Sequence, residues 1–424
     1  MAEPHCPSYY AATANDKTAY GALEGDIKAD ICVIGAGFTG ISTALTLAER
    51  GFNVVVVEAN KVGWGASGRN GGQVGYSIRG EENLRRTSGP KADAMIHDLT
   101  WRGHEIIKER GEKYKIDCDL KQGNMAAALK PQHMDELREE FDFRAEQGLE
   151  DQFSLVEKSD LRDYIGTDAY LGGLYNNRDF HLHPLNLCLG EARAATSVGV
   201  RIFEQSAVTE IIHGKSPVVV TEKGRVTAQQ VVIAGNAYHQ LEKSKIGGVV
   251  FPAGTYILAT EPLDDDMVAE LLPKNQSVWD KSIFLAYFRR SNDNRFLYGG
   301  ECNYSGRDPK SIKDTMLPHM IETFPILKDV KVDYEWGGMI GITISRTPQV
   351  GRINGNVYYA QGYCGHGVNS THIMSEILSD AITGQLEHFD LFDRARQYRI
   401  PVPRWMGNQM LALGMLYYRM KELF

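Results

Sequence analysis

Apolar residues along this chain change period several times, and each change marks an element. The run DICVI, Asp30 to Ile34, is short, β-branched and stopped by glycine, which predicts a buried parallel strand. TGISTALTLAER, Thr39 to Arg50, then sets Ile41, Ala44, Leu45 and Ala48 on one helical face, with Gly51 as its stop. Val54 to Val57 is a second strand ending at Glu58, so the three form a βαβ unit. GWGASGRNGGQ, Gly63 to Gln73, has no apolar period and reads as a loop, whereas the charged, periodic stretch from about 91 to 150 predicts two or three helices. Further on come a helix over Pro184 to Ser197, a strand over Val200 to Glu204, and strands at Val218 to Thr221 and Val231 to Ala234 around a turn at Lys223 and Gly224. Between 251 and 332 the alternating runs FLAYFRR and RFLYGG predict an antiparallel sheet. Val357 to Gln361 as strand, the turn GYCGHGV and a helix from Asn369 to Thr383 close the core.

This order is discontinuous. It predicts an α/β fold in which a Rossmann-like dinucleotide-binding domain (27–90, 183–250 and 333–400) brackets a second, α+β domain built on an antiparallel sheet (91–182 and 251–332). In the tail, Met406, Met410, Leu413, Leu416, Met420 and Leu423 share one helical face, so 401–424 is expected as a C-terminal helix docked on the body or on another subunit.

Composition narrows the function class. With 424 residues, 43% hydrophobic and 24% charged, the chain is long enough for two domains with a cleft between them. A formal charge of −8 without a dense Lys/Arg tract excludes the footprint of nucleic-acid binding. Cys6, Cys32, Cys118, Cys188, Cys302 and Cys364 stand singly with no metal-type pair, and no leader or long apolar run is present, so a cytoplasmic protein without a membrane span is expected, as a monomer or homo-oligomer.

The strongest motif is GAGFTG: Gly35, Ala36, Gly37, Phe38, Thr39 and Gly40. It follows a predicted strand, opens a helix and precedes an acidic strand end at Glu58, the arrangement that binds a dinucleotide. Gly35 permits the tight turn, Gly37 lets backbone approach the pyrophosphate, and Gly40 allows close packing; Glu58, followed by Ala59, accepts the ribose hydroxyls. FAD and NAD share this fingerprint. Three further features select FAD: a second glycine loop carrying Gly65, Ala66, Ser67, Arg69, Asn70, Gly71, Gly72 and Gln73; the strand VVIAGNAY ending in Gly235; and GYCGHGV, where Gly362, Gly365, His366, Gly367 and Val368 offer amides to a flavin carbonyl that gains charge on reduction.

These stretches, with SYYAATA, HPLNLCLGEARAATSVGVRIFEQSAV, EWGGMIGIT, TPQVGR and NVYYAQGYCGHGVNSTH, resemble the FAD-dependent amino acid and amine oxidase family of D-amino-acid oxidase type over nearly the whole length. The resemblance implies FAD as cofactor, hydride transfer to flavin N5 from the carbon beside an amine, hydrolysis of the imine to an aldehyde, and oxygen as acceptor with release of hydrogen peroxide. It implies gamma-glutamylputrescine or a related gamma-glutamyl polyamine as substrate. A small amino acid such as sarcosine or glycine, a dehydrogenase variant, and a flavin-binding scaffold without turnover are the alternatives. It also implies adenine against Val208, and leaves open a covalent flavin at Cys364.

Such a substrate carries a carboxylate, which suits an arginine fork; Arg69, Arg289, Arg290 and Arg346 are the candidates, with Arg69 and Arg346 first. Tyr287, Trp336 and Tyr363 are candidate walls for its apolar stem. His366 is the best-placed titratable group, as catalyst or as a flavin contact. His181 and His183 alternate without a third ligand and read as structural, and no metal is expected.

Overall fold

The computed structural model describes residues 3–282, 285–305, 308–400, 406–410 and 412–413. Two sheets organise it. In the first, five parallel strands run in the order Val357–Gln361, Gly224–Ile233, Gly25–Ile34, Val54–Val57, Arg201–Phe203, with Gln349–Ile353 antiparallel on the edge. Val33 pairs with Val56 on one side and with Val232 on the other. All four residues of Val54–Val57 are buried, which is why this strand shows no alternation. The helices Phe38–Glu49 and Gly367–Ile382 pack on one face of this sheet and on each other, where Ser42 and Ser375 share a hydrogen bond between small side chains. Beneath them Arg110 and His372 both meet the carboxylate of the fully buried Glu191, at 2.8 and 3.1 Å, tying Arg102–Tyr114, Pro184–Ser197 and Gly367–Ile382 together.

The second sheet has nine strands: Val332–Ile342, Phe251–Thr260, Phe296–Asn303, Tyr287–Arg290, Ser277–Asp280, Lys121–Ala128, Gly172–His181 and Gln73–Val74 in order, with Phe153–Val156 beside Gly172–His181. The predicted antiparallel pattern is present between 251 and 332. The two inserted segments meet along one parallel pair, Ser277–Asp280 beside Lys121–Ala128. Lys91–Leu99, Arg102–Tyr114 and Pro131–Glu146 supply the predicted helices. Lys121–Ala128 differs: its alanines favour helix in isolation, yet strands on both sides satisfy its backbone and tertiary pairing prevails. Gln73–Val74 and Val332–Ile342 flank the nucleotide-binding elements in sequence but add their backbones to the second sheet, so the chain crosses between the layers at both places.

In the tail, residues 406–410 and 412–413 are helical; 401–405, 411 and 414–424, including Leu416, Met420 and Leu423, lie outside the described residues. Among the described residues, the body of this chain does not cover the expected docking face. Gly407 and Asn408 are buried, and a Cβ on Gly407 would stand 2.4 Å from the Phe251 ring, whereas Met406, Met410 and Leu413 are exposed.

Candidate active site

The C-terminal ends of the parallel strands open into a cavity of about 1190 Å³ that is closed on its far side by the second sheet. Ligands of open α/β sheets bind at such strand ends, and this volume exceeds the ~300–1,000 Å³ of ordinary small-molecule clefts. Gly35 has φ +105° and an added Cβ would lie 3.1 Å from the Ala234 carbonyl oxygen. At Gly37 it would lie 2.8 Å from Ser67 Oγ, and at Gly40 1.9 Å from the Gly35 carbonyl oxygen. The turn thus holds backbone against backbone and leaves no room for side chains.

Helix Phe38–Glu49 starts at Gly37, which has no side chain to cap it. Ser67, from the second glycine loop, supplies the cap by accepting from Phe38 N–H at 2.9 Å. The amides of Thr39 and Gly40 precede the first intrahelical bond, Ile41 N to Gly37 O, and they carry the positive end of the helix. Ser67→Ala removes that cap and is expected to lower unfolding free energy by about 1 kcal/mol, measured by chemical denaturation. Glu58 accepts from the amides of Ala36 and Asn60, both at 2.8 Å; desolvation pushes its carboxyl pKa up and these bonds oppose it.

The expected cofactor positions fall into two groups. Gly35, Gly37, Phe38, Thr39, Glu58, Ala59, Gly65, Ala66, Ser67, Arg69, Asn70, Gly71, Gln73, Val208, Gly235, Gly365, His366, Gly367 and Val368 line the cavity. Ala36, Gly40, Gly72 and Gly362 stand behind its wall and shape it: Gly72, at φ +76°, leaves no space beside the Leu182 carbonyl, and Gly362 N–H donates to Asn236. Asn70 folds the second loop by donating to the carbonyls of Ala66 and Ser67 and accepting from Gly72 N–H. The helix Gly367–Ile382 opens on the cavity without a side-chain cap, leaving its first amides free for an anionic oxygen.

The substrate candidates separate in the same way. Tyr287 lines the cavity and its ring fills the space left by Gly71 and Gly299. Tyr363 also lines it, but its hydroxyl is bonded to Thr39 at 2.7 Å, a tie between the two cofactor turns. Trp336 is placed away from the wall: it is buried, donating Nε1–H to the Arg69 carbonyl and packing on Tyr10. Arg69 reaches the cavity, with its guanidinium over Trp64 and its Nε–H donated to the Trp64 carbonyl. Arg289 is buried, holding the Gly71 carbonyl and the Tyr10 hydroxyl; Arg290 bonds Asn294; Arg346 is exposed beyond the cavity. His181 bonds the Asn275 carbonyl, and His183 caps Pro184–Ser197.

Among the cavity residues that escaped the sequence reading are Arg79, Arg144, Asn124 and Asp179. Arg79 donates Nε–H to His366 Nδ1 at 3.2 Å and, among the described residues, no carboxylate pairs with its guanidinium. Arg144 is already matched to Glu140 at 2.9 Å and stacked on Tyr76. Burial first, then the charges of Arg79 and His104, hold His366 well below the usual histidine range. A neutral imidazole accepting at Nδ1 carries its proton on Nε2, so His366 meets the cavity as a hydrogen-bond donor. The missed signals were short: the arginine of SIRG, just past the second glycine loop, and the aspartate of NRDFH, before the paired histidines.

A family profile described as FAD dependent oxidoreductase, DAO, matches residues 30–381. The chain belongs to this family of FAD-dependent oxidoreductases. The gamma-glutamylputrescine oxidoreductase of Escherichia coli (strain K12) is 41% identical, over 99% of this chain and 98% of that protein. The glycine oxidase of Bacillus subtilis (strain 168) is 22% identical over 82% of this chain and 92% of its own length. Among solved structures, glycine oxidase from Geobacillus kaustophilus superposes with a TM-score of 0.69 at 20% identity, covering 89% of this chain and 98% of that one. L-amino acid deaminase from Proteus vulgaris, with its specific insertion sequence deleted, gives 0.70 at 22%, covering 92% and 99%. The α/β fold is therefore that of the DAO-family flavoenzymes, and the chain is an FAD-dependent amine oxidoreductase. Its residues fit FAD on structural grounds: side chains are excluded from both glycine turns, and two helix N-termini with free first-turn amides face one cavity. Among the described residues, no helix is long and apolar enough to cross a membrane.

Proposed function

We propose that this chain is an amine oxidase whose substrate carries a carboxylate at the end remote from the reacting amine, with gamma-glutamylputrescine or a related gamma-glutamyl polyamine as the substrate. The observation that carries this reading is Arg79, an unpaired guanidinium facing the cavity, in a chain 41% identical to a gamma-glutamylputrescine oxidoreductase. Arg79 is exposed at the cavity wall, where its fork is open to a carboxylate on the ligand. In this reading Gly35, Gly37, Thr39 and Ser67 surround the pyrophosphate, Glu58 takes the ribose, Val208 meets the adenine, and the amides of Gly367 and Val368 face the flavin carbonyl. The chemistry supplied by bound FAD is acceptance of hydride from the carbon beside the amine and re-oxidation by oxygen to hydrogen peroxide, the imine hydrolysing to an aldehyde.

His366 orients the reacting end with its Nε2–H; burial, aided by the charge of Arg79, keeps the ring neutral. Tyr287 lines the stem. Non-covalent flavin is favoured because Cys364 Sγ is turned into its own turn, donating to Gly362 O and accepting from Thr343 N–H. Six free cysteines suit a cytoplasmic setting. The test is anaerobic mixing of the purified yellow protein with gamma-glutamylputrescine, glycine and sarcosine. Bleaching by the first alone, with one peroxide per turnover once air is admitted, is the expected result. Preferential bleaching by glycine or sarcosine overturns the substrate assignment, and bleaching without peroxide overturns the oxidase.

A further inference from the structure

One point in the cavity is ringed by polar atoms that the cofactor turns do not use. Gly75, just beyond Gln73–Val74, has no side chain; a Cβ there would lie 3.6 Å from His366 Nε2, 3.7 Å from Asn124 Nδ2 and 3.9 Å from Asp179 Oδ2. These are ordinary contact distances, so the place of the missing methyl is open space within reach of all three groups. Asn124 is buried, donates to Asp179, and its Oδ1 is an acceptor with no partner. Asp179 is buried as well, with Oδ1 accepting from Tyr76 N–H and facing His104 Nε2, both at 3.0 Å. His104 has an acceptor at each nitrogen: Asn369 Oδ1 at Nδ1, and the Val74 carbonyl with Asp179 at Nε2. All three partners of His104 are acceptors, so its Nε2–H is directed at Asp179 and fixes that carboxyl in the wall.

A buried carboxylate whose Oδ2 faces an empty point is an acceptor there for a group rich in N–H donors. We propose that Asp179, held in place by the amide of Asn124, binds the reacting ammonium of the substrate beside Gly75, and that Asp179 Oδ2 takes one of its protons. The proposal rests on the amine-oxidase reading above and adds the residue that prepares the amine. An ammonium has no lone pair to assist hydride departure, so it must lose a proton first. In the step, an N–H bond of R–CH2–NH3+ breaks and an O–H bond forms on Asp179, giving R–CH2–NH2 and a neutral carboxyl. The electron pair of the broken bond stays on nitrogen. Burial favours the neutral carboxyl that results, since desolvation pushes the Asp179 pKa up. His366 Nε2–H is a donor and does not compete for the proton.

The experiment compares FAD-loaded wild type with Asp179→Asn and Gly75→Ala. Each is titrated with pentylammonium and with its uncharged counterpart pentan-1-ol, following the perturbation of flavin absorbance, and then reduced anaerobically by substrate across pH 7 to 9.5. Wild type should bind the ammonium, and both variants should bind it at least tenfold more weakly with pentanol binding unchanged. Gly75→Ala leaves every polar partner in place and meets nothing closer than 3.6 Å, so it answers the question if Asp179→Asn does not fold. In Asp179→Asn, flavin reduction should fall at least 100-fold near neutral pH and recover about tenfold per pH unit, as the free amine, with a pKa near 10, becomes available from solution. The other groups facing this point, His104, His366, Tyr76 and Arg79, are retained in both variants. Ammonium binding that is undiminished, or lost together with pentanol binding, overturns the proposal, as does a reduction rate in Asp179→Asn that stays flat with pH. If ammonium binding depends on Asp179 while no carboxylate-bearing amine bleaches wild type, the substrate reading fails and the amine site stands.

Discussion

Gly40→Ala is expected to yield a protein that is purified without flavin. The Cβ of alanine would stand 1.9 Å from the carbonyl oxygen of Gly35, a backbone atom in a turn fixed on both sides. Gly35 N–H donates to Val57 O at 2.8 Å, and an added Cβ on Gly35 itself would already press on Ala234. Relief therefore requires the helix Phe38–Glu49 to move off the strand Gly25–Ile34. That helix is held by Ile41, Ala44, Leu45 and Leu47, all fully buried. Overpacking in such a place costs about 1–3 kcal/mol or more, and the displacement lands where the helix amides meet the pyrophosphate. The check is the ratio of flavin to protein absorbance after purification, with Gly21→Ala as control because no atom lies within 4 Å of its added Cβ. Full flavin content in Gly40→Ala would show that this turn does not hold the cofactor.

How much of this was legible in sequence follows from how local each feature is. Val54–Val57, Pro184–Ser197, Val218–Thr221 and Val357–Gln361 occur at their expected bounds, because burial on all sides or a proline-led helix start writes itself into consecutive residues. The glycine turns were legible for the same reason: steric demands act between near neighbours. Asp179, Asn124 and Arg79 were not. Asn124 and Asp179 sit on adjacent strands, Lys121–Ala128 and Gly172–His181, and Arg79 follows the crossover at Gln73–Val74; only sheet pairing between distant segments gathers them. Without that pairing, an arginine in SIRG is one among many. Trp336 illustrates the converse, since an aromatic near a glycine-rich stretch resembles a cavity wall until its indole N–H is seen to hold Arg69 O.

Arg79→Met is expected to raise the KM for a carboxylate-bearing amine by about 10- to 150-fold, corresponding to about 1.5–3 kcal/mol for hydrogen bonds to a charged group, with a much smaller effect on the limiting rate of flavin reduction. Methionine keeps the unbranched stem and removes the fork, so the loss reports the charge and its N–H groups. Arg79→Lys should recover only part of the affinity, because a point charge cannot reproduce two parallel bonds to a carboxylate. At the alkaline end of the pH range, where His366 is neutral in both, an amine of equal length without the carboxylate should be oxidised equally by wild type and variant, which separates lost recognition from a damaged site. A second consequence has a fixed sign. Arg79 is one of the charges that hold His366 below its usual range, second to burial, so its removal raises the His366 pKa and favours the imidazolium. A protonated His366 would face the same point as the substrate ammonium and repel it. Arg79→Met should therefore also lose affinity for simple ammonium ligands as the pH falls, a dependence that Arg79→Lys, keeping a cation nearby, should suppress. Equal KM values for both amines in wild type and variant would remove Arg79 from carboxylate recognition.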